Sequence, residues 1–316
     1  MTRRATKDPA GVLVQYAEET EEAQHSQRGC LWHCSRQFMH NPGQRVERMR
    51  TDFSKVLITG ASSGIGECTA WAFASSQYEL YLTARREERL VQVAKACEAQ
   101  GARRVVVRSH DLSIAGQGTA VVRDCIEELG GLDILICNAG FGIYGPIEEI
   151  PPEDMAHIWQ VNFQSGYESI HAALPHLLQQ KKGHIVWVSS ILGKKAFPFS
   201  GSYCATKFAQ VAVGEALWGE LKGTGVGISV VCPGYTSSEF QTSARKTKSL
   251  LSMRRPGGGQ RPELVARAIV GAIRHRKREV HLTRSGKLLC LLSRFFPNLV
   301  HHTLAWVMNR EQRKMR

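Results

Sequence analysis

The stretch Lys55-Val-Leu-Ile-Thr-Gly-Ala-Ser-Ser-Gly-Ile-Gly66 decides the fold of this 316-residue chain. Its first five residues predict a buried strand, and the residues from Glu67 to Ser75 predict the start of a helix. The glycines therefore lie at a strand-to-helix turn, where free N–H groups and the helix dipole favour a phosphate. The Gly-x-x-x-Gly-x-Gly spacing departs from the Gly-x-Gly-x-x-Gly fingerprint, so a purely structural glycine turn stays open.

Each glycine of this turn has an expected role. Gly60 permits a tight turn, Gly64 lets the backbone approach phosphate oxygens, and Gly66 allows close packing. Apolar runs then recur along the chain and alternate with helical stretches, which predicts an α/β fold. We expect a Rossmann-like, doubly wound parallel sheet of about seven strands with helices on both faces. The predicted strands centre on Val56–Ile58, Leu80–Leu82, Val105–Val107, Ile134–Ile136, Ile185–Val188, Ile228–Val231 and Glu279–Leu282.

A tyrosine and a lysine four residues apart, Tyr203 and Lys207, share one face of a predicted helix. A tyrosine has an ordinary pKa of about 10, and a nearby ammonium favours its phenolate. The pair therefore suits acid/base chemistry near neutral pH. Taken alone, the same spacing also describes a solvated helix face.

With these motifs in order, the chain resembles the short-chain dehydrogenase/reductase family, in its compact single-domain branch, from about Lys55 to Leu282. The resemblance rests on the glycine turn, on Asn138-Ala139-Gly140 after the fourth strand, on Tyr203 to Lys207, on Asn162, and on Pro233-Gly234. It implies a dinucleotide site made of Thr59, Gly60, Ser62, Ser63, Gly64, Ile65, Gly66, Arg85, Asp111, Leu112, Asn138, Ala139, Gly140, Tyr203, Lys207, Pro233 and Gly234. Cys137, where the family often has asparagine, is expected to pack as a small apolar side chain.

The resemblance also implies reversible hydride transfer between a nicotinamide and a carbonyl or alcohol carbon. Tyr203 would exchange the proton, and Ser190, rather than Ser189, would bind the substrate oxygen. Lys207 would tune the tyrosine and hold the nicotinamide ribose, and Asn162 would support a water that links this lysine to solvent.

The end of the second strand bears on the choice of nucleotide. An acidic residue there would bind a ribose 2′-hydroxyl, whereas an arginine would accommodate a 2′-phosphate. Ala84 stands at the acidic position and Arg85 follows it, so the sequence favours NADP(H) over NAD(H). The alternative is that Arg85 and Arg86 only open a charged helix.

The resemblance also implies that Asp111 and Leu112 flank the adenine. The alternative is that Asp111 simply caps a helix before Ser113.

Loops that should surround the site carry nine large apolar residues, some of which are expected to be core or dimer contacts: Phe141, Ile143, Tyr144, Ile191, Leu192, Phe197, Phe199, Tyr235 and Phe240. They favour a bulky apolar, lipid-like small-molecule carbonyl or alcohol substrate. The alternative enzymatic hypothesis is a 3-oxoacyl thioester reductase. A non-catalytic NADP-binding regulatory protein is the alternative from another class, although Ser190, Tyr203 and Lys207 are all present.

Charge is concentrated at one end of the chain. From Gln241 to Arg316 there are 18 Lys or Arg and 3 Asp or Glu, a net charge of +15 against +13 overall. Basic and apolar residues alternate around Pro297 without a 20-residue apolar span. We expect two short helices there that either lie on a membrane surface or pack on the fold or on a partner subunit.

These features divide the chain into an N-terminal extension (1–48), a catalytic domain (49–284) and a basic amphipathic tail (285–316). The extension is expected to be disordered or to reflect an upstream start codon. Scattered cysteines favour a reducing, cytoplasmic location, with membrane association through the tail as a further hypothesis. We expect a homodimer or homotetramer, and neither a metal site nor nucleic-acid binding.

Overall fold

The structure is a computed structural model that describes residues 53–240, 244–250 and 259–313, with side chains up to Arg310. The predicted N-terminal extension lies outside these residues. Seven parallel strands form one sheet in the order β3-β2-β1-β4-β6-β7-β9. Their bounds are β1 Lys55–Thr59, β2 Glu79–Ala84, β3 Arg104–Ser109, β4 Ile134–Cys137, β6 Gly183–Val188, β7 Val226–Cys232 and β9 Glu279–His281. All seven predicted strands are present.

Helices connect the strands and cover the sheet. Their bounds are α1 Gly64–Ala74, α2 Glu87–Ala99, α3 Gln117–Leu129, α4 Pro152–Trp159, α5 Ser165–Gln179, α6 Gly201–Glu220, α7 Pro262–Arg274, α8 Arg284–Phe295 and α9 Pro297–Arg313. One apolar cluster joins α3, α5 and α6 to the sheet, while α1 packs against α2 and α7. The central strands are mostly apolar and are buried on both faces, as is usual for parallel sheets covered by helices.

The strand order reverses between β1 and β4, which lie side by side in the sheet. In such sheets the loops that leave the carboxyl ends of neighbouring strands diverge at this point and leave a crevice for a ligand. The glycine turn follows β1 and Asn138-Ala139-Gly140 follows β4. The fold therefore brings these two motifs together at one edge.

A short pair of strands and a π-helical turn were not predicted from the sequence. A short parallel pair joins β5, Ile143–Tyr144, to β8, Arg245–Lys246. Between α4 and α5, one turn of π-helix, Gln160–Gln164, contains Asn162. Within the described ranges, no helix combines the length and the apolar character that crossing a membrane requires.

Candidate active site

The glycine turn has little room for side chains. Gly60 and Gly64 have positive φ values of 66° and 57°, which favour glycine. A Cβ on Gly66 would lie 2.2 Å from the Gly60 carbonyl oxygen. Helix α1 already begins at Gly64, earlier than predicted, and Ser63 at its N-cap makes no side-chain capping bond. The turn therefore presents a helix N-terminus to the crevice, and this arrangement fits a dinucleotide pyrophosphate.

Thr59 and Asn138 join this turn to the end of β4. The Thr59 hydroxyl accepts hydrogen bonds from the backbone N–H groups of Asn138 (3.0 Å) and Ala139 (3.1 Å). In return, the Asn138 side-chain amide donates to the carbonyls of Thr59 and Gly60 at 3.0 and 3.2 Å. These bonds fix the position of the glycine turn.

Tyr203 is buried in α6, and the Ser190 side chain lies close enough to its phenol to lower the pKa of that phenol through hydrogen bonding. Ser190 ends the loop after β6, and its Oγ also accepts from the Leu192 N–H at 3.1 Å. The neighbouring Ser189 instead donates to the backbone carbonyl of Lys207 at 3.0 Å. Of the two serines, Ser190 is therefore the one beside the tyrosine, and its catalytic role stays a prediction.

The acid/base properties differ from the sequence expectation. Burial raises the pKa of Tyr203 well above its ordinary value, although the Ser190 hydrogen bond opposes this shift. Burial also lowers the pKa of Lys207 to about 7, and its Nζ lies 5.6 Å from the centre of the Tyr203 ring. The spacing correctly places the two groups together, but desolvation outweighs the charge of the lysine.

The Asn162 side chain makes three hydrogen bonds within the protein. Its Oδ1 accepts from the Phe141 N–H, and its Nδ2 donates to the Phe141 carbonyl, both at 2.9 Å, and to Thr206 Oγ1 at 3.2 Å. The side chain therefore closes the loop after β4. The predicted link through a water to Lys207 stays a prediction.

Gln210 connects Asn162 to Lys207 and was not predicted as a site residue. Buried Gln210 donates from Nε2 to the Asn162 carbonyl at 2.5 Å and accepts from Lys207 Nζ at 3.2 Å. The lysine also donates to the Val188 carbonyl at 3.0 Å. The spacing of three residues from Lys207 placed Gln210 on the same helix face and was the available signal.

The arginines after β2 lie in different places. The Arg86 Nη2 donates to Ser62 Oγ at 3.3 Å, within the glycine turn. The exposed Arg85 instead lies near the charge of Asp111, whose carboxylate accepts from the Ser113 N–H (3.0 Å) and hydroxyl (2.7 Å). These hydrogen bonds lower the pKa of Asp111, while burial opposes them as the largest single influence. The sequence predicted a nucleotide contact for Arg85 and considered Arg86 only as part of the start of a charged helix.

The remaining predicted site residues follow the same edge of the sheet. Pro233 accepts from the Ile191 N–H at 2.8 Å, which ties the turn after β7 to the Ser190 loop. Gly234 donates to the Gln260 side chain at 3.0 Å. A Cβ on Gly140 would lie 3.0 Å from Asn162 Oδ1. Leu112 and Cys137 are buried in the apolar core, and Cys137 packs as expected.

Residues 54–249 match the family profile described as short chain dehydrogenase. The chain is a short-chain dehydrogenase/reductase. This enzyme is an oxidoreductase that acts on CH–OH or carbonyl groups, as its motifs suggested.

Two curated proteins illustrate the breadth of its relatives. The short-chain dehydrogenase/reductase is 31% identical to "Ketoacyl reductase HetN" of Nostoc, over 79% of this chain and 88% of that protein. It is 32% identical to "Hydroxysteroid 11-beta-dehydrogenase 1-like protein A" of Xenopus laevis, over 86% and 91% of the two chains. A solved short-chain dehydrogenase/reductase from Burkholderia phymatum, in complex with NAD, superimposes with a TM-score of 0.70 at 26% identity, over 79% and 95%.

Proposed function

We propose that this short-chain dehydrogenase/reductase is an NADP(H)-dependent carbonyl reductase or alcohol dehydrogenase for an apolar substrate. The observation that carries the proposal is the grouping of Ser190 and Lys207 around the buried Tyr203 beside the dinucleotide crevice. The nicotinamide, when bound, supplies or accepts the hydride.

The residues of the chain have separate tasks in this proposal. Tyr203 delivers a proton to the substrate oxygen during reduction and removes it during oxidation. Ser190 donates a hydrogen bond to the same oxygen, where buried donors stabilise developing negative charge. The high pKa of Tyr203 keeps its phenol protonated before reduction. Lys207, held by Val188 and Gln210, has its ammonium available for the ribose and for the developing phenolate.

Replacing the proton donor tests this assignment. Tyr203→Phe preserves the ring but removes the hydroxyl, so we expect turnover to fall by about a hundredfold or more, as for lost general acid catalysis, with similar nucleotide affinity. Turnover is measured spectroscopically from the nucleotide with a panel of ketones, aldehydes and acyl thioesters. Retention of most of the wild-type rate would refute the role of Tyr203.

Ala84 at the acidic position and the arginines that follow it favour NADP(H). Arg86 already contacts Ser62, and Arg85 is exposed at the same strand end. The structural relative is solved with NAD, so the arginines carry this part of the proposal. The dissociation constants of NADPH and NADH, measured by nucleotide fluorescence, test the preference.

An apolar cluster beside Tyr203 supports the substrate class. Buried Ile143, Ile150 and Ile158 pack with Tyr203, and partly buried apolar side chains surround them. The latter are Phe141, Tyr144, Met155, Leu192 and Phe240. A 3-oxoacyl thioester is the second candidate, favoured by the similarity to a ketoacyl reductase. Relative kcat/KM values for apolar ketones and acyl thioesters distinguish the two.

Exposed aromatic residues support the proposed homodimer or homotetramer. Trp159, Tyr167 and Phe208 each expose more than a third of their surface, and the rings of the first two both contact Phe163. Burying such side chains between subunits is favourable. Light scattering gives the mass, and a monomer would exclude this assembly.

The C-terminal helices support a peripheral membrane contact, with residues 285–316 as a separate functional segment. Seven apolar residues of α8 and α9, together with Phe296 between the two helices, have 40–66% of their surface exposed. They are Leu288, Leu291, Leu292, Phe295, Phe296, Leu299, Trp306 and Val307. Arg284 to Arg310 includes four Lys or Arg and no Asp or Glu. This combination suits an anionic lipid surface.

For the catalytic body, the cysteine pattern leads us to propose a cytoplasmic location, which fractionation tests.

A further inference from the structure

A carboxylate from a distant segment lies on the arginines after β2. Glu239 Oε2 accepts from Arg86 Nη2 at 2.8 Å, the same nitrogen that donates to Ser62. The other carboxylate oxygen lies 3.8 Å from Arg89 Nη2. Glu239 follows β7, 153 positions from Arg86 in the sequence. One carboxylate therefore already pairs with the guanidinium groups of both Arg86 and Arg89, and Arg86 also contacts the glycine turn.

The segment that carries Glu239 packs over the dinucleotide crevice. A Cβ on Gly64 would lie 3.1 Å from the Ser238 Cβ, so this serine covers the glycine turn. One residue beyond Glu239, the Phe240 ring lies 5.9 Å from the Tyr203 ring. At its start, the Ser237 N–H donates to the Gln260 carbonyl at 2.9 Å. The position of Glu239 thus belongs to a packed segment and not to a lone exposed side chain.

A second carboxyl group also contacts Arg89. Glu67 Oε1 lies 3.8 Å from Arg89 Nη2, and burial raises the pKa of Glu67 to about 7. Arg86 is about half exposed, and its closest carboxylate is Glu239. Phosphates and carboxylates bind guanidinium groups through the same charge-assisted hydrogen bonds. A phosphate and the Glu239 carboxylate on the same two arginines would repel each other.

We propose that Glu239 sets the nucleotide preference of this enzyme by competing with the ribose 2′-phosphate for Arg86 and Arg89, an inference that rests on the proposed NADP(H) function. A nucleotide with a 2′-hydroxyl leaves both ion pairs in place. A nucleotide with a 2′-phosphate has to displace the carboxylate. Glu239 therefore weakens NADPH binding selectively and narrows the difference in affinity between the two nucleotides.

Removing the charge of Glu239 tests this competition. In Glu239→Gln, we expect the Kd for NADPH to fall about two- to fivefold, the range for exposed ion pairs, and the Kd for NADH to stay nearly unchanged. The gain should shrink at high salt. The matched control is Glu88→Gln, which removes an exposed carboxylate from the first turn of α2. This control should leave both affinities nearly unchanged.

Three outcomes would overturn the competition. An unchanged Kd for NADPH would show that displacing the carboxylate does not limit binding. Weaker NADPH binding would show that Glu239 helps to build the phosphate site. Equal tightening for NADPH and NADH would show a general effect on the segment over the crevice. If the wild-type enzyme prefers NADH while Glu239→Gln still gains NADPH affinity, the NADP(H) assignment fails and the competition stands.

Discussion

Lys207 and Gln210 share a buried hydrogen bond of 3.2 Å beneath the proposed proton donor. Burial lowers the pKa of Lys207 to about 7, so its charge is sensitive to every acceptor that it contacts. The Gln210 oxygen favours the charged form, and its amide is oriented by the Asn162 carbonyl. We therefore expect Gln210 to act as a positioning residue that keeps the lysine protonated at neutral pH.

Substitutions at Gln210 should move the alkaline limb of the pH profile in opposite directions. Gln210→Met removes the acceptor but keeps similar volume, so the pKa of Lys207 should fall and activity should be lost about one pH unit lower. Gln210→Glu adds a charge and should shift the limb upwards. A hydrogen bond to a charged group is worth about 1.5–3 kcal/mol, which corresponds to one to two pH units.

The measurement is kcat/KM against pH for both variants and the wild-type enzyme. A thermal melt of each variant serves as the control for folding. If Gln210 is only a packing residue, both substitutions will change stability while the alkaline limb stays at the wild-type pH.

The proximity of two residues could be predicted from the sequence where a motif of fixed spacing sets it. Tyr203, Lys207 and Ser190 belong to motifs of known offset, so the sequence indicated their proximity. The contact between Glu239 and Arg86 depends on the path of the chain after β7, which no local pattern specifies. The pKa values also could not be anticipated, because desolvation depends on the finished packing.

Among the elements, the glycine turn and α1 have the strictest steric requirements. A Cβ at Gly66 would meet the Gly60 carbonyl oxygen at 2.2 Å and the Asn138 Nδ2 at 2.7 Å. Both atoms belong to the hydrogen-bonded junction between β1 and β4, so neither can move without breaking it. We therefore expect that adding a single methyl group at Gly66 will destabilise the turn.

Gly66→Ala should lower the free energy of unfolding by about 1–3 kcal/mol or more through overpacking, and should weaken nucleotide binding. The matched control is Gly219→Ala in α6, where a Cβ would have no neighbour within 4 Å. This change should stabilise the protein by about 0.5–1 kcal/mol, because alanine favours helix over glycine. Urea unfolding measures both. Equal effects of the two substitutions would contradict the steric account.

The strands could be predicted because apolar runs on buried parallel strands are a strong signal. The short β5–β8 pair could not, since it contains only two residues on each side and joins segments about a hundred residues apart. The π-helical turn at Asn162 was also missed. Its side-chain bonds to the Phe141 backbone are tertiary contacts and leave no periodic pattern in the sequence.

At the scale of the whole molecule, the tail hypothesis predicts binding to anionic vesicles. Phe295→Ser combined with Leu299→Ser removes two of the most exposed apolar side chains of the tail and should reduce cosedimentation by about tenfold or more. The control is Leu264→Ser, an exposed leucine on α7. NADPH affinity should stay the same in both proteins.

Varying the salt concentration separates the electrostatic and apolar contributions to vesicle binding. Attraction to anionic lipid should weaken as the salt concentration rises, whereas the apolar contribution should persist. If the wild-type protein fails to cosediment even at low salt, the tail is not a membrane anchor. If the double variant changes the oligomeric mass instead, these side chains pack between subunits.

The junction between Thr59 and Asn138 affects both the folding of the chain during synthesis and its later degradation. Its hydrogen bonds join residues 79 positions apart, so a nascent chain that ends before β4 lacks the finished phosphate turn. Under the proposed function, nucleotide would bind the completed sheet and not its partly folded precursors. At a hundred times its Kd, such a ligand stabilises the folded state by about 2.7 kcal/mol. The cellular supply of the nucleotide would then help to determine how much of this enzyme escapes degradation.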